Sequence, residues 1–136
     1  MNSPRSPRVD RAARWFVFLW FLLGGIAHFA FTAAEMRIVP AWIPWPRAAV
    51  LATGVLELAG AAGLLLPRWR RPAAWGLVAL TLAVTPANID MLQHADRFPA
   101  VPVILLVLRL PLQVLLLWAI WRAGVPPLSR DRQRPR

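Results

Sequence analysis

The chain of 136 residues contains no cysteine and no lysine. Without cysteine it can form no disulfide, no thiolate metal site and no dithiol redox centre of its own. Its two histidines are too few for a typical protein metal site, so no metal is expected. It also lacks a glycine-rich phosphate loop, a nucleophile elbow and a pair of carboxylates at one depth. These absences leave open whether the protein is an enzyme.

Apolar residues, in contrast, make up 58% of the chain. They gather in four runs, each close to the roughly 20 residues that a helix needs to cross about 30 Å of hydrocarbon. A water-soluble domain of this length could bury a core without runs of this length. The predicted fold class is therefore all-α, and the predicted architecture is an integral membrane four-helix bundle.

The apolar runs define a single predicted domain over residues 15–121. Its helices are predicted at residues 15–33, 48–66, 73–92 and 101–121. The flanking residues 1–14 and 122–136 are polar and rich in arginine or proline, and they are predicted to be disordered. Because the first apolar run is too long for a signal peptide and no cleavage site follows, it is predicted to stay uncleaved.

Proline and tryptophan mark the connection between the first two helices. The segment MRIVPAWIPWPR, residues 36–47, contains three prolines and two tryptophans. Proline at this density excludes a continuous helix, so we expect a loop that Trp42 and Trp45 anchor in the membrane interface. A further proline, Pro86, lies inside the third run and is expected to kink that helix.

The formal net charge of +10 comes from arginine alone, and the arginines gather at the ends of the apolar runs. Twelve of them fall on the side that holds both termini and the link over residues 67–72, against three on the other side. Cytoplasmic loops carry the excess of basic residues. We therefore predict a multi-pass protein of the bacterial inner membrane with both termini in the cytoplasm. Lipid is its expected surrounding, and nucleic acid is not an expected partner.

Each predicted helix carries a polar group: His28, Glu57, Asn88, and Arg109 with Gln113 one turn later. From a rise of about 1.5 Å per residue, Glu57 lies ~14 Å and Arg109 ~12 Å below the outer face. A charge at the bilayer centre costs about 3 kcal/mol on insertion scales, so each should find a partner. Because their depths match and their charges are opposite, a Glu57–Arg109 salt bridge is predicted.

These five side chains are predicted to form a ligand-binding site in the outer half of the bilayer. The alternative is that these buried polar side chains bind no ligand and only hold the helices together. Small residues around Glu57, namely Gly54, Gly60 and Gly63, favour close packing of this helix against its neighbours.

Five pieces of the sequence resemble the DoxX family of small four-helix membrane proteins. They are GGIAHF (24–29), PAWIP (40–44), TGVLELAGAAGLLLP (53–67), TPANIDM (85–91) and RLPLQ (109–113). The resemblance covers about residues 15–121, and His28, Glu57, Asn88 and Arg109 fall at positions of the family's motifs.

The resemblance implies an association with quinol oxidation, although most members of the DoxX family have no established activity. The leading hypothesis is an accessory protein that binds a small, quinone-like lipophilic ligand and holds no covalent cofactor. One alternative is a membrane subunit of a quinone-linked oxidoreductase. There His28 and Glu57 would handle protons and Arg109 would hold a quinone oxygen or an anion. The other alternative is a structural assembly partner without a ligand.

Overall fold

A computed structural model describes residues 6–124 of the chain. These residues form helices and turns and include no strand. The helices are α1 (Pro7–Ala30), α2 (Thr32–Glu35), α3 (Pro46–Leu65), α4 (Arg70–Ala83), α5 (Thr85–Gln93) and α6 (Val103–Gly124). Two single 3-10 turns, Met36–Ile38 and Ala95–Arg97, lie in the connections. The predicted all-α fold class is confirmed.

Four helical segments of residues 6–124 are long and apolar enough to cross a membrane: α1, α3, α4 with α5, and α6. Their outer surfaces are apolar as well, since large side chains such as Leu23 (64% exposed) and Val114 (68% exposed) face outward. Water-soluble proteins rarely expose contiguous apolar surface on this scale. The helix lengths and surfaces therefore suit a lipid environment.

The first helix begins earlier than the hydropathy of the sequence indicates. Pro7 occupies the first turn, where proline fits because its missing N–H needs no partner, and Asp10 is favourable near the positive end of the helix dipole. The prediction of disorder is therefore wrong for residues 7–14. It is also wrong for residues 122–124, which continue α6. Residues 1–5 and 125–136 lie outside the described range.

The third segment is interrupted where a kink was predicted. Helix α4 ends at Ala83 and α5 begins at Thr85, one residue before Pro86. Proline has no N–H to donate and its ring crowds the preceding turn, which accounts for the break. Pro111 in α6, in contrast, is accommodated without an interruption of the helix.

The segments pack side by side in a ring: α1 contacts α3 and α6, and α4 contacts the same two helices. Helices α3 and α6 thus lie diagonally across the ring. Along the helix axes, a cluster of buried apolar side chains fills one half of the bundle, which we call the packed half. Its members are Val17, Phe21, Ala61, Leu64, Ala74, Leu77, Leu116, Ala119, Ile120 and Ala123. The packed half contains the beginnings of α1 and α4 and the ends of α3 and α6.

Glycines let α3 approach both of its neighbours. A Cβ added at Gly54 would lie 2.8 Å from His28 Cβ and 3.2 Å from the carbonyl oxygen of Gly25, both on α1. A Cβ added at Gly63 would lie 2.7 Å from Ala73 Cβ on α4. The close packing predicted from these small residues is confirmed.

A candidate ligand cavity between the helices

The half opposite the packed half contains a cavity of about 520 Å³. Its walls come from α1, α3, α4, α5 and α6 and from the connection after α1. All five predicted site residues line it: His28, Glu57, Asn88, Arg109 and Gln113. Much of the remaining wall is apolar, with Trp20, Phe21, Ile38, Val39, Val50, Leu80, Val84, Leu112 and Leu116 among its members. Ligand pockets typically combine such an apolar wall with a few convergent polar groups. The structure thus brings the five residues together, and their binding of a ligand stays a prediction.

His28 on α1 and Glu57 on α3 face each other in the wall. The distance from His28 Nε2 to Glu57 Oε1 is 3.6 Å, and the side chains are 17% and 14% exposed. Gly24 makes room for this pair, because a Cβ there would lie 2.6 Å from Glu57 Oε2. Any side chain larger than hydrogen at position 24 would therefore displace the carboxylate.

Both members of this pair retain a polar atom that nothing in the described residues satisfies. His28 Nδ1 and Glu57 Oε2 are buried and have no hydrogen-bond partner within residues 6–124. Buried polar atoms without partners cost about 1–3 kcal/mol each. A ligand or water in the cavity that hydrogen-bonds to them would remove this cost.

The predicted salt bridge between Glu57 and Arg109 is wrong. Within the described residues Arg109 makes no ion pair, and its Nη1 donates instead to Met91 Sδ at 3.0 Å. The matching depths gave the position of each side chain along the helix axis. They did not give the direction in which the side chain points from its helix. Because α3 and α6 lie diagonally, Glu57 reaches α1 and Arg109 reaches α5. A thioether is a weak acceptor, so most of the guanidinium's donor capacity stays unused.

Gln113 on α6 is the centre of a hydrogen-bond network that joins α4, α5 and α6. Its Oε1 accepts from Asn88 Nδ2 at 2.9 Å. Its Nε2 donates to the carbonyl oxygen of Thr81 at 2.9 Å and to the hydroxyl of Thr85. Thr81 and Gln113 are both buried. For Asn88 and Gln113, therefore, the structure shows hydrogen bonds between helices. Such bonds are what the alternative requires, in which the polar side chains only hold the helices together.

The connection after α1 also contributes to the cavity wall, although none of its residues was among the predicted site residues. Ile38, Val39, Pro40 and Ile43 from the proline-rich connection line it, and Pro40 is fully buried. Trp42 and Trp45 are 68% and 74% exposed, as side chains in a membrane interface would be.

Glu35 also lines the cavity and was not among the predicted site residues. It lies on α2, beyond the end of α1 at Ala30, so helical spacing from His28 does not predict its place in the cavity. Within residues 6–124 no group of three or more histidine, aspartate or glutamate side chains could hold a metal ion.

Neither a curated protein nor a solved structure shows a significant match to this chain. A family model described as a domain of unknown function, DUF8561, matches residues 18–123, which include all five predicted site residues. That description carries no activity, and the resemblance to the DoxX family stays a prediction. Because the match extends over most of the chain, the protein belongs to the DUF8561 family.

Proposed function

We propose that this protein is a four-helix-bundle membrane protein that binds a small lipophilic ligand with a polar head, of the quinone type, in the cavity between its helices. One observation carries the proposal. His28, Glu57 and Arg109 line a single cavity of about 520 Å³ and keep donor or acceptor capacity that no described residue uses. A volume of about 300–1,000 Å³ is typical of small-molecule sites.

The chemistry of the wall suits a quinone head. A quinone has two carbonyl oxygens on opposite sides of an apolar ring, so it needs donors at two separate places. Arg109 supplies a charge-assisted donor at one side, and the His28–Glu57 pair supplies a protonatable group at the other. The apolar side chains between them would contact the ring and its tail.

The His28–Glu57 pair also favours the second candidate, a membrane subunit of a quinone-linked oxidoreductase. Quinol oxidation releases two protons with two electrons, and a histidine beside a carboxylate can accept a proton. The described residues provide no electron carrier, so this candidate requires a partner protein. A stable dehydrogenase that co-purifies with the chain would favour it over the accessory role.

The ligand role of Arg109 is tested by titrating decylubiquinone into the protein in mild detergent. We expect Arg109→Gln to weaken binding about tenfold or more, since a hydrogen bond to a charged group contributes about 1.5–3 kcal/mol. Arg97→Gln is the matched control, because Arg97 is exposed and lies outside the cavity. Equal affinities of wild type and Arg109→Gln would exclude Arg109 from the site.

We further propose that the protein lies in a bacterial inner membrane with the packed half and both termini on the cytoplasmic side. The absence of cysteine makes single-cysteine labelling straightforward. In intact cells a membrane-impermeant maleimide should label Trp42→Cys but not Arg71→Cys, both of which are exposed positions. Arg71→Cys should react only after the membrane is permeabilised. Labelling of Arg71→Cys in intact cells would contradict this orientation.

A further inference from the structure

A second concave surface lies outside the ring of helices, where α3 and α4 run side by side. It is an apolar groove of about 750 Å³, open to the exterior, and small residues form much of it. Its lining comprises Leu56, Ala59, Gly60, Ala62, Gly63, Leu66, Trp69, Pro72, Ala73, Gly76, Leu77, Ala79, Leu80 and Ala83. A Cβ added at Gly76 would meet no atom within 4 Å, so the groove is empty above this residue.

Three arginines at the end of the packed half already have partners within the protein. Arg14 Nε donates to the carbonyl oxygen of Ala123 at 3.3 Å, and Arg70 Nε donates to that of Leu64 at 3.1 Å. The carbonyl of Leu64 lies in the last turn of α3, where carbonyl oxygens have no helical partner. Arg122 Nε lies 2.8 Å from Asp10 Oδ1. These arginines therefore stabilise the end of the packed half.

Arg68 and Arg71 differ from those three. Both are exposed, and within the described residues neither has a side-chain hydrogen bond or an ion pair. They adjoin Trp69 and Pro72, which line the end of the groove. At this end of the described chain the one acidic residue is Asp10, which already pairs with Arg122. Two positive charges that no described acidic residue neutralises thus adjoin, in sequence, residues that line the end of the apolar groove.

We propose that the groove binds one anionic glycerophospholipid, whose acyl chain lies along α3 and α4 and whose phosphate contacts Arg68 and Arg71. From Leu66 to Leu56 the groove extends about 15 Å along α3, which equals one leaflet of a hydrocarbon core about 30 Å thick. Trp69 is 56% exposed at the level where an aromatic side chain meets lipid headgroups.

The charges favour a lipid over a second copy of the chain. Two copies in the same membrane orientation would bring Arg68 and Arg71 of one copy close to those of the other, and like charges repel. A phosphate, in contrast, neutralises them. The inference rests on the membrane location proposed above but not on the cavity ligand. A protein that binds no quinone could still bind this lipid.

The first test is lipid retention by the full chain, measured by native mass spectrometry from micelles that contain phosphatidylglycerol or phosphatidylcholine. We expect one phosphatidylglycerol to be retained per chain under conditions that remove phosphatidylcholine. Each basic residue at an anionic lipid surface contributes about fivefold, which corresponds to about 1 kcal/mol. The double variant Arg68→Gln, Arg71→Gln should therefore lower phosphatidylglycerol retention at least tenfold. The control Arg8→Gln, Arg11→Gln removes the same charge from exposed positions on α1 and should change it less than twofold.

The second test fills the groove. Gly76→Leu places a side chain in open space and replaces a glycine inside a helix, so the melting temperature without lipid should not fall while phosphatidylglycerol retention falls at least fivefold. Ala52→Leu, at an exposed position of α3 that lines neither the groove nor the cavity, should leave retention unchanged.

Three results would overturn the inference. The first is equal retention of the two lipids. The second is retention that does not respond to the loss of Arg68 and Arg71. The third is a dimer that Gly76→Leu dissociates while phosphatidylglycerol retention is unaltered, which would assign the groove to a second copy.

Discussion

Replacing Gln113 with leucine is expected to lower the free energy of unfolding by about 3 kcal/mol. Leucine has a similar volume but removes the three hydrogen bonds by which Gln113 joins α6 to α4 and α5. A single interhelical hydrogen bond in a membrane protein contributes only about 0.6 kcal/mol on average. The larger part of the loss comes from the amide of Asn88, which is left without its partner at a cost of about 1–3 kcal/mol.

The Gln113 effect is measurable as a shift of the unfolding transition in mixed micelles, followed by the helical circular dichroism signal. Gln93→Leu is the matched control, because Gln93 is exposed on α5 and no hydrogen bond of its side chain occurs within the described residues. Surface substitutions of this kind usually stay within about 0.5 kcal/mol. If both variants shift the transition equally, the network does not stabilise the fold.

Gly54→Ala is expected to destabilise the protein by about 2 kcal/mol through steric overlap. The added Cβ would approach the Cβ of His28 and the backbone oxygen of Gly25, neither of which can move without its helix. Helices α1 and α3 would have to separate, and the contact between His28 and Glu57 would lengthen.

Gly76→Ala provides the control for this overlap, because its Cβ meets no atom within 4 Å. Alanine is favoured over glycine inside a helix by about 0.8–1.0 kcal/mol, so this variant should be slightly more stable than the wild type. The same unfolding measurement on both variants tests the close approach of α1 and α3. A gain in stability from Gly54→Ala would contradict it.

Much of the fold could be predicted from the sequence because apolar runs of membrane length carry a strong signal. The ends of the helices were harder to predict from the sequence. Residues 7–14 are polar and rich in arginine, which is typical of a disordered tail, yet Asp10 pairs with Arg122 across the end of the molecule. That pairing joins residues far apart in sequence, and local composition does not contain it.

The five predicted residues do line one cavity, but the pairing of their side chains was not predicted. Counting residues from a helix end gives depth along the helix axis, and depth placed Glu57 and Arg109 at one level. It gives no information about which helices are neighbours or which lie diagonally. The partners that the structure shows, His28 for Glu57 and Met91 for Arg109, follow from the order of the helices around the ring.

Binding of a quinone-like ligand in the cavity is tested most directly by filling the cavity. Ala87 lines it, and Ala87→Phe should occupy the space that a ligand head would need. Wild-type protein purified in mild detergent should yield about one extractable quinone-like molecule per chain and bind decylubiquinone, and Ala87→Phe should do neither. Ala52→Phe, at an exposed position outside the cavity, should behave like the wild type. Undiminished decylubiquinone binding by a correctly folded Ala87→Phe variant would contradict the assignment of the cavity as the binding site.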